Sequence, residues 1–153
     1  MRTNEDATTQ QRNKETVRRL FAAFTANDAG AMDELLAPRL HCARAAARAW
    51  RWRAAALKGT AAVMHAGLHD CHCEIEDLIT EKDRVAVRYT ARATHAGEMF
   101  GVPPSGRTVT ITGIEIYRLA DGRIAEYWDE ANMSELFTAD CQKAHASTVP
   151  SAP

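Results

Sequence analysis

No stretch of this chain approaches the roughly 20 consecutive apolar residues that a membrane-spanning helix requires, so a transmembrane segment is not expected. The polar start Arg2-Thr3-Asn4-Glu5-Asp6 lacks the basic-then-apolar layout of a secretory signal, and the expected location is the cytoplasm. Neither sign of charge is in excess. The net charge of −1 gives no global attraction to nucleic acid or to an acidic membrane, and partners of both kinds are excluded from the reading. The four cysteines, Cys42, Cys71, Cys73 and Cys141, are expected to be free thiols in a reducing cytosol. No glycine-rich loop leads into a helix opening with Lys-Ser/Thr, which argues against a phosphate cradle.

With 153 residues, 46% hydrophobic and 25% charged, the chain fits one globular domain, since halves would be too small to bury much apolar surface. The expected division is a flexible leader over 1–10, a single domain over 11–141 and a disordered tail over 142–153. Val17, Leu20, Phe21 and Phe24 fall at i, i+3, i+4 and i+7, one apolar stripe along a helix from about Gln11 to Ala26. Asn27-Asp28-Ala29-Gly30 breaks it, with Asp28 as N-cap of a short second helix carrying Met32, Leu35 and Leu36 and ended by Pro38. From Ala43 to Leu57 the chain is rich in alanine and arginine and has no carboxylate. A helix is the default there, but Trp50 and Trp52, two apart, cannot share a helical face, so a strand stays open. The run reads either as a solvated helix face or as a basic, aromatic patch for an anionic or planar ligand. Lys58-Gly59-Thr60 restarts a helix through Val63, Met64 and Leu68.

His65, His69, Cys71, His72 and Cys73 crowd together, but Cys71-His72-Cys73 enters a strand that throws His72 to the face opposite the cysteines, so no metal site is expected. Ile75 to Ile79 reads as a strand leading to the turn Glu81-Lys82-Asp83. From Arg84 the pattern alternates, with Val85, Val87, Tyr89, Ala91, Ala93 and His95 on one face. Gly97, Gly101 and Pro103-Pro104-Ser105-Gly106 make a connection suited to a loop over a barrel mouth. The strand from Thr108 to Leu119 then sets Glu115 in the apolar row of Val109, Ile111, Gly113, Tyr117 and Leu119. Ala120-Asp121-Gly122 signals a hairpin, and the returning strand carries Ala125, Tyr127 and Asp129 on one side against Ile124, Glu126, Trp128 and Glu130. Two carboxylates thus point to one interior, the pattern expected of acid/base chemistry.

Helices followed by long antiparallel hairpins predict an α+β domain in which a curved sheet wraps around the N-terminal helices. The threonine-rich outer face with Ile114 and Ile116 predicts a homodimer or higher homo-oligomer.

Gly101-Val102-Pro103-Pro104-Ser105-Gly106-Arg107, Gly113-Ile114-Glu115, Asp121-Gly122-Arg123-Ile124 and Glu126-Tyr127-Trp128-Asp129 with Asn132, in that order and spacing, resemble the SnoaL-like polyketide cyclases. The resemblance implies the nuclear-transport-factor-2-like fold, a conical α+β barrel. It also implies a cofactor-free enzyme that closes a ring of a polycyclic aromatic polyketide by intramolecular aldol chemistry, in antibiotic or other secondary-metabolite biosynthesis. Asp129 takes the family's acid/base position, and Glu115 stands where the family is expected to carry a histidine. The catalytic set is therefore Asp129 with Glu115 or His95 as hydrogen-bond donor. Tyr89, Met99, Phe100, Tyr117 and Tyr127 are candidates to line the pocket and stack on a flat substrate, and Trp128 and Asn132 of the matched motif join the substrate-binding set. The alternatives are a cofactor-independent hydroxylase or other tailoring enzyme on a related polyketide, and a non-catalytic small-ligand-binding dimer module.

Overall fold

The computed structural model describes residues 2–43 and 54–137. Three helices and five strands run in the order α1 (Arg2–Thr25), α2 (Ala29–Leu35), β1 (Leu36–Ala43), α3 (Ala54–Gly67), β2 (Leu68–Glu81), β3 (Arg84–His95), β4 (Thr108–Ala120) and β5 (Arg123–Asn132). None of the described helices is long and apolar enough to cross a membrane.

Helix α1 begins nine residues before the expected Gln11, taking in most of the segment read as a leader. No proline or glycine occurs before Gly30, and Glu5 lies in the first turn, where a negative charge complements the helix dipole. Its core stripe is Val17, Leu20 and Ala23, with Phe21 and Phe24 only partly buried beside it. Asn27 ends the helix in the left-handed region at φ 52°, and Asp28 N–H returns to the Ala23 carbonyl at 2.8 Å. Asp28 then caps α2, its Oδ1 accepting from Ala31 N–H at 2.9 Å, as the sequence predicts.

Strand β1 is absent from the sequence reading. Pro38 does stop the helical pattern, yet the chain continues as a strand running parallel to β5 at the edge of the sheet. An edge strand tolerates a proline, and the register of β1 is irregular between Leu36 and His41, where Pro38 falls. Of the Ala43 to Leu57 run, the described part is the end of β1 and residues 54–57 at the start of α3. Trp50 and Trp52 lie outside the described residues.

The sheet order is β1-β5-β4-β3-β2, antiparallel except for β1. It is the expected α+β arrangement, an open, mainly antiparallel sheet packed on N-terminal helices. The β4–β5 turn has Asp121 at φ 51° and Gly122 at φ 74°, the two left-handed residues of a type I′ hairpin. A two-residue turn continued in plain register would pair Glu115 with Trp128. Instead the pairing passes from Leu119↔Ile124 to Arg118↔Glu126, so Ala125 is an extra residue bulged out of the ladder. Ile124 and Tyr127 are consequently both core residues, and the expected placement of Ile124 beside Glu126 and Trp128 is corrected by that bulge. From there inward, Tyr117 pairs with Tyr127 and Glu115 with Asp129.

Buried apolar side chains form two clusters. One joins Val17, Leu20, Met32, Leu36 and Ala61 to Val85, Val87, Tyr117 and Ile124; the other gathers Leu68, Ala93, Met99, Val109, Ile111 and Leu136 towards the far end of the sheet. Inserting one alanine between Glu126 and Tyr127 should turn Asp129 outward and Trp128 inward, abolishing the cooperative urea transition, whereas deleting Ala125, which leaves Tyr117 opposite Tyr127 and Glu115 opposite Asp129 in a plain ladder, should preserve it. An insertion variant as stable as the parent would contradict this register.

Candidate active site

Between the two apolar clusters lies a cavity of about 230 Å³. Its walls are largely apolar, from Leu20, Phe21 and Phe24 of α1, Leu57 and Met64 of α3, and Leu68, Ala91, Ala93 and Ile111 of the sheet. On the sheet side Glu115, Asp129, Tyr89, Tyr117 and Tyr127 meet, with Cys71 and Cys73 also on the wall, while the helices add Thr25, Thr60 and His65.

The arrangement follows from local register. Glu115 and Asp129 are directly opposite on neighbouring strands, which holds their Cβ atoms about 4.5–5.5 Å apart on one face. Tyr117, two residues along β4, donates its hydroxyl hydrogen bond to Glu115 Oε2. Tyr89 reaches the same carboxylate from β3 across Gly113, its cross-strand partner. A Cβ on Gly113 would lie 2.6 Å from the Tyr89 ring, so the glycine makes room for that tyrosine. Phe21 of α1 packs edge-on against Tyr89, with ring centroids 5.3 Å apart, and against Tyr117, and Tyr117 stacks on Tyr127.

Burial pushes the Glu115 carboxyl up to about 7, and the Tyr117 and Tyr89 hydroxyls, which favour its charged form, partly oppose this, while the charge of Asp129 adds to it. The site therefore holds a carboxylic acid poised to carry or release a proton near neutrality. Tyr117 and Tyr89 are both raised, first by burial and then by Glu115, and stay neutral donors. Cys73 is pushed up to about 11 by burial, Cys71 and Glu115, and burial also raises Cys71, so both free thiols are protonated and weakly nucleophilic.

Of the residues expected at the site, Glu115, Asp129, Tyr89, Phe100, Tyr117 and Tyr127 line the cavity. His95 does not. It is fully buried at the end of β3, eight residues along from Val87, the partner of Glu115, or roughly 26 Å at about 3.3 Å per residue. Its Nδ1 lies 3.3 Å from Ser105 Oγ. Met99 is buried under the loop in the second cluster. Trp128 stands on the outer face of the sheet, with the Arg84 guanidinium 5.1 Å above its ring. Asn132 is exposed, its Oδ1 accepting from Ser134 N–H at 3.0 Å to turn the chain into the closing helical turn.

Phe21 and Phe24 read in sequence as core stripe, and Cys71 and Cys73 as thiols on one strand face. All four are cavity wall. Their signal was the stripe itself, which carries more apolar residues than the helix buries. His72 is exposed on the face opposite the two cysteines, and no three metal-ligating side chains gather among the described residues.

An open, mainly antiparallel sheet packed on helices beside a cavity that holds an opposed carboxyl pair defines a small α+β protein of the nuclear-transport-factor-2-like type. More particularly, the chain belongs to the SnoaL-like polyketide cyclase family, which matches residues 14–139. No curated protein sequence matches it. Among solved structures it is similar to AclR, a candidate hydroxylase from Streptomyces galilaeus, at 26% identity and TM-score 0.75, covering 94% of this chain and 86% of AclR. It is similar to a candidate SnoaL-like polyketide cyclase from Jannaschia sp. CCS1 at 25% identity and TM-score 0.75, covering 92% and 95%. It is also similar to IdmH, a candidate polyketide cyclase from Streptomyces antibioticus, at 27% identity and TM-score 0.71, covering 84% and 98%.

Because the folded Glu115 carboxyl titrates near 7 rather than near 4.5, the native state holds this proton more tightly than the unfolded chain does. The stability it contributes is fully present below about 4.5 and lost as pH rises through about 7. Relative to the parent, Glu115→Gln should therefore gain on the order of 2 kcal/mol of unfolding free energy between about pH 5 and pH 8, read by urea titration. A pH-independent difference would show that Glu115 is not held protonated.

Proposed function

We propose that this protein is a cofactor-free polyketide cyclase that closes a ring of a polycyclic aromatic polyketide by intramolecular aldol chemistry in secondary-metabolite, antibiotic-type biosynthesis. The observation that carries the reading is the direct cross-strand opposition of Glu115 and Asp129 in an apolar cavity of a SnoaL-like chain.

Asp129 acts as the base, taking a proton from carbon beside a carbonyl. The resulting enolate carbon attacks a second carbonyl of the same molecule, forming the ring bond, and the developing alkoxide takes the proton of Glu115. The proton gained by Asp129 and lost by Glu115 balances the cycle, and exchange through solvent resets the pair. Tyr117 and Tyr89 fix the Glu115 carboxyl in position, and the remoteness of His95 from the pair leaves Glu115 as donor. Tyr127 and the edge-on Phe21 supply flat apolar surface for aromatic rings.

A second reading, an oxygen-using hydroxylase that needs no cofactor, is favoured by the similarity to AclR. Turnover under strict anaerobiosis distinguishes the two, since aldol closure consumes no oxygen. The protein is further proposed to work as a homodimer through the outer sheet face, where Ile79, Ile114 and Ile116 are 67%, 55% and 38% exposed.

Asp129→Asn should lower turnover of an aromatic polyketide precursor by about 10²–10⁴-fold, with the far-UV circular dichroism unchanged. Undiminished turnover in that folded variant would remove Asp129 from the mechanism.

A further inference from the structure

We infer that Phe100 is a fixed aromatic sill at the cavity mouth that selects multi-ring planar ligands over single-ring ones. The inference rests on the reading of the cavity as a site for an aromatic polyketide.

Phe100 lines the cavity and is yet 55% exposed, which puts its ring at the opening. The enclosed space, about 230 Å³, lies below the usual range of about 300–1,000 Å³ for small-molecule sites. A ligand of several fused rings seated against Glu115 and Asp129 therefore extends to the mouth, whereas a single ring does not.

The backbone that carries Phe100 is costly and firmly held. Met99 and Val102 exchange both backbone hydrogen bonds, at 3.0 and 2.8 Å, around a two-residue turn with Phe100 at φ 50° and Gly101 at φ 80°. Asparagine or aspartate is the ordinary occupant of the first position, since a bulky side chain in the left-handed region is strained. Such strain persists only where the surroundings enforce it, and it concentrates at functional positions.

The enforcement comes from Met99. Its side chain occupies the space over Gly67, where an added Cβ would come within 1.9 Å of Met99 Cγ. The root of the loop is pinned at the same place, Ala96 and Gly97 N–H both donating to the Gly67 carbonyl at 2.9 and 3.0 Å. Gly97 in turn sits too close to the Ala66 carbonyl to carry a side chain. With Met99 anchored over Gly67, the turn that carries Phe100 is held at the opening.

The test is equilibrium binding of 1,8-dihydroxyanthraquinone and of phenol to the full chain by calorimetry, alongside thermal melting. Phe100→Gly relaxes the left-handed residue, so its melting temperature should equal or exceed that of the parent. The same variant should bind the anthraquinone about 3- to 10-fold more weakly while phenol changes less than about 2-fold, the size expected for loss of one stacking contact. Phe100→Leu, which keeps bulk but not the flat face, should fall between. Equal weakening of both ligands, no weakening of the anthraquinone, or a parent protein that does not bind it overturns the assignment. Because the readout is binding, a protein that shows this pattern but cyclises nothing overturns the cyclase reading and leaves the sill standing.

Discussion

The site depends on one constraint, the register of β4 against β5. A tight hairpin at Asp121-Gly122 starts the pairing, and one extra residue, Ala125, shifts it before the strands reach the cavity. Side chains alternate strictly along a strand, so a shift of one residue exchanges the two faces. With the bulge, Tyr127 and Asp129 face Tyr117 and Glu115 across the cavity wall. Without it, the same sequence would turn Trp128 inward and leave Glu115 without a carboxylate opposite. The opposed carboxyl pair is thus a property of pairing geometry as much as of residue identity.

The rest of the architecture supports that pair from three sides. Helix α1 lays Phe21 edge-on against both tyrosines that hold Glu115, and Gly113 leaves the space in which one of those tyrosines lies. The apolar clusters on either side exclude water, which raises the cost of charge on Glu115 and keeps a proton there near neutrality. Glu115 can hold a proton near neutrality beside a second carboxyl, and in the proposed mechanism the two divide the labour of acid and base. That chemistry fits an aldol closure. Membership of the SnoaL-like family supports the proposed polyketide substrate, and the surroundings of Glu115 supply a physical basis for the proposed reaction.

Much of this was legible in the sequence, unevenly. Strand β3 alternates from Val85 to His95 without interruption, and its bounds follow directly from that period. Glu115 stood out because it interrupts an apolar row, and the Asp28 cap because it follows a helix-breaking Asn27. Asp129 was placed inward by alternation read along β5 alone, and the bulge is what reconciles that placement with the two-residue turn. Strand β1 was not legible. Its pairing with β5 is parallel and long-range, and Pro38 in its middle argues locally against a strand. His95 shared a face with cavity residues, but period alone does not report how far along a strand a side chain sits. Trp128 and Asn132 lay within a matched motif whose alternation sends one outward and whose end uses the other to turn the chain.

The central claim is that Glu115 is a protonated acid beside Asp129 at the pH where the protein works. Carbon-13 NMR titration of the glutamate side-chain carboxyls, with the Glu115 resonance assigned by its loss in Glu115→Gln, tests this directly. The account predicts a midpoint close to 7 for that resonance, set apart from the other glutamates. A midpoint near 4.5, the ordinary glutamate value, would contradict it.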